Sequence, residues 1–348
     1  MQKTKNLTYV DQVKGIGIIA VVMLHSGLTN QFMAACISAF IMPLFFMTSG
    51  ILLQHTQVID KSRSAFYCKR AKSLLIPYVI FGMLYFLMGA VRGYTIPELF
   101  GIFFENVTLF GNSVLWFLPC LFMAQVIVYE VYRRINDKRG LLLLIGISVI
   151  GYVTVKQLVL FFPKGTLLWQ SIYYFLFAVG RALFAAGFVG VGYWLNEWIE
   201  QIEQALESRV AQILGILLLA LWVLLAKKNG ATDFKIMAFG NTGYYLVAAV
   251  AATVGMAIWC RVLVKDKTLA FLGRYSLIIM LTHLDLQYLN VSIKCGELLQ
   301  RQAGSLGRVL YWIGMISCMI LLEVITIYVC NHYLGFLFGK HNLCKAKK

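Results

Sequence analysis

Long apolar runs alternate with short breaks that carry lysine, arginine and turn residues, and the runs are long enough to cross a bilayer, which takes about 20 apolar residues per helix. The pattern predicts about ten transmembrane helices, near 12–29, 35–54, 74–92, 114–132, 141–162, 171–195, 210–226, 243–264, 270–291 and 308–337. The polar stretches between them are roughly 20 residues at most and show no core pattern of their own, which leaves no room for a second, soluble domain. The expected architecture is an all-α, polytopic integral membrane protein forming one domain over residues 1–348.

Composition sharpens this picture. Hydrophobic residues make up 60% of the 348 and charged residues 13%, against about 45–50% and 25% in soluble proteins. That excludes a soluble enzyme, a disordered chain and a nucleic-acid-binding domain. The net charge of +16 does not restore nucleic acid as a partner, because the cations punctuate apolar runs instead of gathering on one solvated face. An even number of spans puts both termini on one side. The loops on that side carry Lys61, Arg63, Lys69, Arg70, Lys72, Arg133, Arg134, Lys138, Arg139, Arg209, Arg261, Lys265, Lys267 and Arg274, and with both tails they hold about two thirds of all lysine and arginine. The positive-inside rule makes that side cytoplasmic. Glu197, Glu200, Glu203 and Glu207 predict a separate polar surface helix over 196–209. The eight cysteines include no CxxC pair and read as small apolar fillers. Met1–Asp11 leads into a full-length span without a small-residue cleavage site, as expected for an uncleaved first helix.

Ionisable groups within such spans are costly and mark function by default. Lys14 and His25 are eleven residues apart, which returns them to nearly the same helix face about 16 Å apart along the axis. Counted from the cytoplasmic ends of their helices, His25, His283, Asp285 and Arg181 fall at similar depths, about 20 Å in, with Glu323 near the middle of the last helix. These five residues are expected in one catalytic layer, although a structural ion-pair network would be spaced alike. A shallower set, Lys14, Arg70, Lys72 and Arg274, gathers at the cytoplasmic mouth, where it serves either as membrane anchoring or as a phosphate-binding rim. No HExxH, CxxC, GxGxxG or Walker pattern occurs, so no bound metal and no resident cofactor is expected.

Five short motifs in chain order resemble the membrane acyltransferase-3 family, which includes fucose 4-O-acetylase-like and polysaccharide O-acetyltransferases. They are Tyr9-Val10-Asp11-Gln12-Val13-Lys14-Gly15 with His25; Phe45-Phe46-Met47-Thr48-Ser49-Gly50; Lys69-Arg70-Ala71-Lys72 leading to Pro77-Tyr78; Leu115-Trp116-Phe117-Leu118; and Leu272-Gly273-Arg274-Tyr275-Ser276-Leu277 with His283. Lys14 stands where many members of that family have arginine, so the charge is kept and the bidentate fork lost.

The resemblance implies transfer of an acyl group, usually acetyl from acetyl-CoA, to a hydroxyl of a cell-envelope glycan or its lipid-linked precursor, by an enzyme of the cell membrane, here a bacterial plasma membrane. It implies that His25 is the catalytic histidine, that Lys14 accompanies the donor, and that Arg70, Ser49 and Trp116 occupy motif positions on the donor path. His283 matches the late histidine. Such a reaction needs a base for the hydroxyl proton, a role suited to imidazole, and a donor for the developing oxyanion, for which Arg181 or His283 are the choices. Asp285 or Glu323 would orient an imidazole. The partners expected are the bilayer, acyl-CoA and a glycan acceptor. The same polar layer also suits a glycan exporter or proton-coupled transporter, although no repeat of broken helices between the two halves is visible.

Overall fold

The computed structural model describes residues 7–27, 29–162, 166–205, 208–262, 266–301 and 307–335. They fold into helices α1 (Thr8–His25), α2 (Gln31–His55), α3 (Arg63–Val91), α4 (Ile96–Val107), α5 (Phe117–Arg134), α6 (Lys138–Phe161), α7 (Leu167–Ala205), α8 (Ser208–Asn229), α9 (Thr242–Val262), α10 (Lys267–Arg274), α11 (Ser276–Asp285), α12 (Tyr288–Arg301) and α13 (Gly307–His332), with no strand among the described residues. Seven of these, α2, α3, α6, α7, α8, α9 and α13, are long and apolar enough to cross a membrane. Large apolar side chains exposed on α3, α6, α8 and α13, among them Met83, Leu142, Leu217 and Ile320, form the outward face that a bilayer covers. α2 lies at the centre, with 83% of its most apolar stretch buried, whereas α6 and α8 bury 17% and stand at the periphery.

The remaining three predicted spans differ from expectation in instructive ways. α1 and α5 form, but polar residues such as Asp11, Lys14, Gln125 and Glu130 keep them out of the most apolar set. The expected span at 270–291 is broken at Tyr275 and again at Leu286–Gln287, giving α10, α11 and α12. Gln287 has a φ of 61°, a left-handed conformation that ends a helix. The continuous apolar run hides these breaks, because hydropathy reports burial and not hydrogen-bond continuity. The polar helix expected over 196–209 is in its first part the continuation of α7, 39 residues long, about 58 Å at 1.5 Å per residue. α4 was not foreseen. It starts with a capping box in which the Thr95 backbone N–H donates to Glu98 at 2.7 Å, and this bond holds the Glu98 carboxyl below its ordinary value. The two chain termini and Lys164, Glu207 and Lys265 lie outside the described residues.

Two glycine contacts set the helix spacing around the site. A Cβ on Gly273 would run into the backbone carbonyl of Asp11, and one on Gly15 into that of Leu269, so α10 lies directly on α1. Likewise Gly50 and Gly192 let the backbones of α2 and α7 touch, the close approach that small residues permit in membrane bundles. Asp266 caps α10 through the backbone N–H groups of Thr268 and Leu269, at 2.6 and 2.9 Å, and these bonds hold its carboxyl below the ordinary value. Gln12 donates to the Asp266 carbonyl at 3.2 Å, fixing the entry of α10 to α1.

Candidate functional site

Two cavities lie end to end between α1, α2, α5 and α11. The first, about 240 Å³, is lined by Lys14 and Arg70 together with Thr48, Ser49, Gln125, Ser276 and a wall of Phe45, Leu121 and Leu277. The second, about 300 Å³, is lined by His25, Ser38, Ser113, Trp116, Asp233 and Lys235, with Val21, Ile41, Met42 and Leu284. Phe117 and Met280 belong to both. The helical repeat explains the arrangement. Lys14 and His25 present one stripe of α1 to the two chambers, as their spacing predicted, and Ser276, Met280 and Leu284 recur at four-residue intervals on α11.

His25 is the last residue of α1, which runs over Thr8–His25 and so starts and stops four residues earlier than the expected span of 12–29. Its ring is open to the second chamber, while His283 is fully buried. His25 Nδ1 and His283 Nε2 are 3.1 Å apart, and His283 Nδ1 is 2.9 Å from the Ile279 carbonyl oxygen. A carbonyl only accepts, so His283 Nδ1 carries a proton and donates it. With His283 neutral, as deep burial favours, its Nε2 is an acceptor. His25 then donates from Nδ1, and the lone pair on His25 Nε2 is left available to a ligand. The Ile279 carbonyl thereby sets the tautomer of two successive imidazoles.

Arg181 and Glu323, expected in the same layer, are not among the residues lining the two cavities. Arg181 is fully buried on α7. It donates through one terminal nitrogen to the Lys235 carbonyl and through the other to the Phe110 carbonyl, both at 2.8 Å, and its guanidinium lies 4.7 Å from the Trp116 ring centre. With both terminal nitrogens committed, Arg181 clamps two connections, 108–116 and 230–241, that fold back over the second chamber. His283 is occupied at both ring nitrogens, whereas Arg181 keeps an Nε without a hydrogen-bond partner among the described residues. Glu323 is buried on α13 and accepts from the Thr282 hydroxyl at 2.8 Å, which ties α13 to α11 without reaching a histidine. The side chain of Asp285 lies outside the described residues.

In the first chamber Lys14 pairs with Asp11 at 2.9 Å, and Gln125 donates to the Ser49 hydroxyl at 2.6 Å. Arg70 faces the cavity from α3, its Nε without a hydrogen-bond partner and its guanidinium 5.6 Å from the Phe66 ring centre. Arg274 lines neither cavity. It is half exposed and lies 3.7 Å from the other oxygen of Asp11. Lys72 is exposed and also lines neither, since two residues along a helix from Arg70 point away from it. Trp116, expected on the donor path, lines the second chamber instead.

Sequence reasoning missed the two folded-back connections. The first turns through positive φ at Leu109, Gly111 and Ser113, and the Asn112 side chain anchors it to the Ile102 carbonyl at 2.9 Å. The second closes on an isolated bridge between Asp233 and Ala238. It buries Phe234, whose ring stacks on Trp116 with centres 5.8 Å apart and packs against Phe46 at 5.2 Å. Thr232 donates from its backbone to Ser38 Oγ at 2.9 Å. These contacts bring Asp233 and Lys235 to the histidine chamber. The only sequence signal was an Asp-Phe-Lys triplet in a loop of unusual apolarity. Burial lowers the Lys235 pKa from its ordinary value, opposed in part by Glu105 and Asp233.

Among the described residues no group of three or more histidine, cysteine, aspartate or glutamate side chains is arranged to hold a metal. No curated protein and no solved structure matches the chain. One family model does, described as an acyltransferase domain, and it extends over residues 7–328. That match takes in both chambers, the histidine pair and the loops above them. The chain therefore belongs to the acyltransferase-3 family of membrane acyltransferases.

Proposed function

We propose that the protein moves a short acyl group, acetyl, from cytoplasmic acyl-CoA to a hydroxyl of a cell-envelope glycan or its lipid-linked precursor. The single observation that carries this is the pair of chambers that share Phe117 and Met280, with Lys14 and Arg70 in one and His25, paired to His283, in the other. Lys14 and Arg70 suit the phosphates of the donor, and the lysine- and arginine-rich loops favour the cytoplasm on their side. The acceptor then enters from the opposite side, past the 108–116 and 230–241 connections.

The acceptor hydroxyl attacks the thioester carbonyl and gives its proton to His25 Nε2. The resulting imidazolium donates through Nδ1 to His283, whose acceptor nitrogen is held in place by the Ile279 carbonyl. Lys235 is the one cation among the residues lining that chamber and stabilises the negative oxygen of the tetrahedral intermediate. Collapse breaks the C–S bond, and the proton on His25 passes to the departing sulfur, giving free CoA and the glycan ester.

The test uses membranes containing the full chain, radiolabelled acetyl-CoA and envelope glycan. The wild type transfers label, and His25→Gln, with unchanged insertion and thermal stability, transfers none. Full transfer by His25→Gln overturns the mechanism. Movement of unmodified glycan across the membrane without label would instead establish a transport role.

A further inference from the structure

We infer that Phe117 and Met280 form the neck through which the acyl group must pass, and that they select a narrow, uncharged, unbranched acyl chain. This rests on the proposed acyl-CoA reading. Both side chains line both chambers, and both are only 5% exposed. If the donor phosphates rest near Lys14 and Arg70, the acyl end leads the thioester toward His25, so the acyl group itself meets the neck first.

The two walls differ in stiffness. Phe117 is wedged among other rings, with Phe46 at 5.2 Å and Phe45 and Trp116 both at 6.1 Å between centres, and packed aromatic rings yield little. Met280 stands opposite on α11, at the midpoint of the Ser276–Met280–Leu284 stripe, and an unbranched thioether can change rotamer to let a slim chain by. A methyl branch next to the carbonyl widens the leading end where the aromatic wall cannot retreat. A terminal carboxylate, as on a succinyl group, would have to leave water at an apolar constriction. Among the described residues no charged side chain lines both chambers, so nothing at the neck offsets that penalty.

The experiment measures kcat/KM for acetyl-CoA and isobutyryl-CoA in membranes containing wild type, Met280→Ala or Phe117→Leu. Opening the neck is expected to raise the isobutyryl-to-acetyl ratio about tenfold or more, the scale on which pockets discriminate added methyl groups. Met280→Trp is expected to depress acetyl transfer while CoA alone still binds with wild-type affinity. If the wild type transfers acetyl and both enlarged variants keep its ratio, the neck is overturned and the acyltransfer reading stands. A wild-type chain that releases no CoA from acetyl-CoA overturns that reading and the neck assignment with it.

Discussion

His283 presents Nε2 to His25 Nδ1 at 3.1 Å, and its own Nδ1 is spent on the Ile279 carbonyl. In the proposed reaction the second histidine is a positioning residue that fixes tautomer and ring angle. His283→Leu should lower kcat about 10²–10⁴-fold, the range of a general base that has lost its alignment, with little change in KM for acetyl-CoA. His283→Gln should keep more activity than His283→Leu, because an amide oxygen can still accept from His25 Nδ1. Equal rates in the two variants would argue against the relay.

Arg181 should reveal itself through stability more than through chemistry. Arg181→Met leaves the Phe110 and Lys235 carbonyls without their donor, at about 1–3 kcal/mol for each buried orphan. Arg181→Lys can satisfy one carbonyl at a time and should fall between. Thermal melting in detergent checks the order. Proteolysis within 108–116 or 230–241 should rise in parallel, whereas a variant that melts like wild type but is inactive would return Arg181 to the chemistry.

Lys14 and Arg70 line the chamber that lacks the histidine pair, so losing either should act on donor affinity. Lys14→Ala and Arg70→Ala should each raise KM for acetyl-CoA about tenfold, roughly 1.4 kcal/mol, at nearly constant kcat. Lys14→Arg should retain more activity than Lys14→Ala. An unchanged KM in both alanine variants would assign the two cations to anchoring. Lys72→Ala, on an exposed position outside the chamber, serves as the control and should leave KM alone.

Lys235 supplies a pH prediction. Burial depresses its pKa, so its positive charge is lost, as pH rises, earlier than from an ordinary lysine. Transfer should therefore decline on the alkaline side, and Lys235→Arg should extend activity to higher pH because guanidinium stays charged. A pH profile of kcat with no alkaline difference between the two forms would remove Lys235 from the transition state.

The helical class, the seven most apolar spans and the face shared by Lys14 and His25 were legible because 3.6-residue periodicity and hydropathy act locally. The proximity of His25 and His283 could be anticipated from their matching depths, although not the 3.1 Å contact. What depended on long-range geometry stayed hidden. The two carbonyl bonds of Arg181 could not be read, since nothing in α7 says that two distant loops lend it their carbonyls. Trp116 was grouped with Lys14, Arg70 and Ser49 because a motif gives no direction, and the 108–116 turn brings it to the chamber that holds His25. Asp233 and Lys235 sit in an irregular connection, where no periodicity marks a buried side chain. The break at Tyr275 was invisible within an unbroken apolar run.

The clamp at Arg181 divides the molecule's evolutionary freedom. The ceiling over the histidine pair comes from two irregular connections that share one clamp, Arg181, which reaches each through a main-chain carbonyl, and a carbonyl is present whatever side chain the loop carries. On the proposed reading, exposed side chains there can be exchanged to suit a new sugar while Asn112, Trp116, Phe234, Lys235 and the bundle stay as they are. Diversification of the acceptor should therefore leave its record in those two connections.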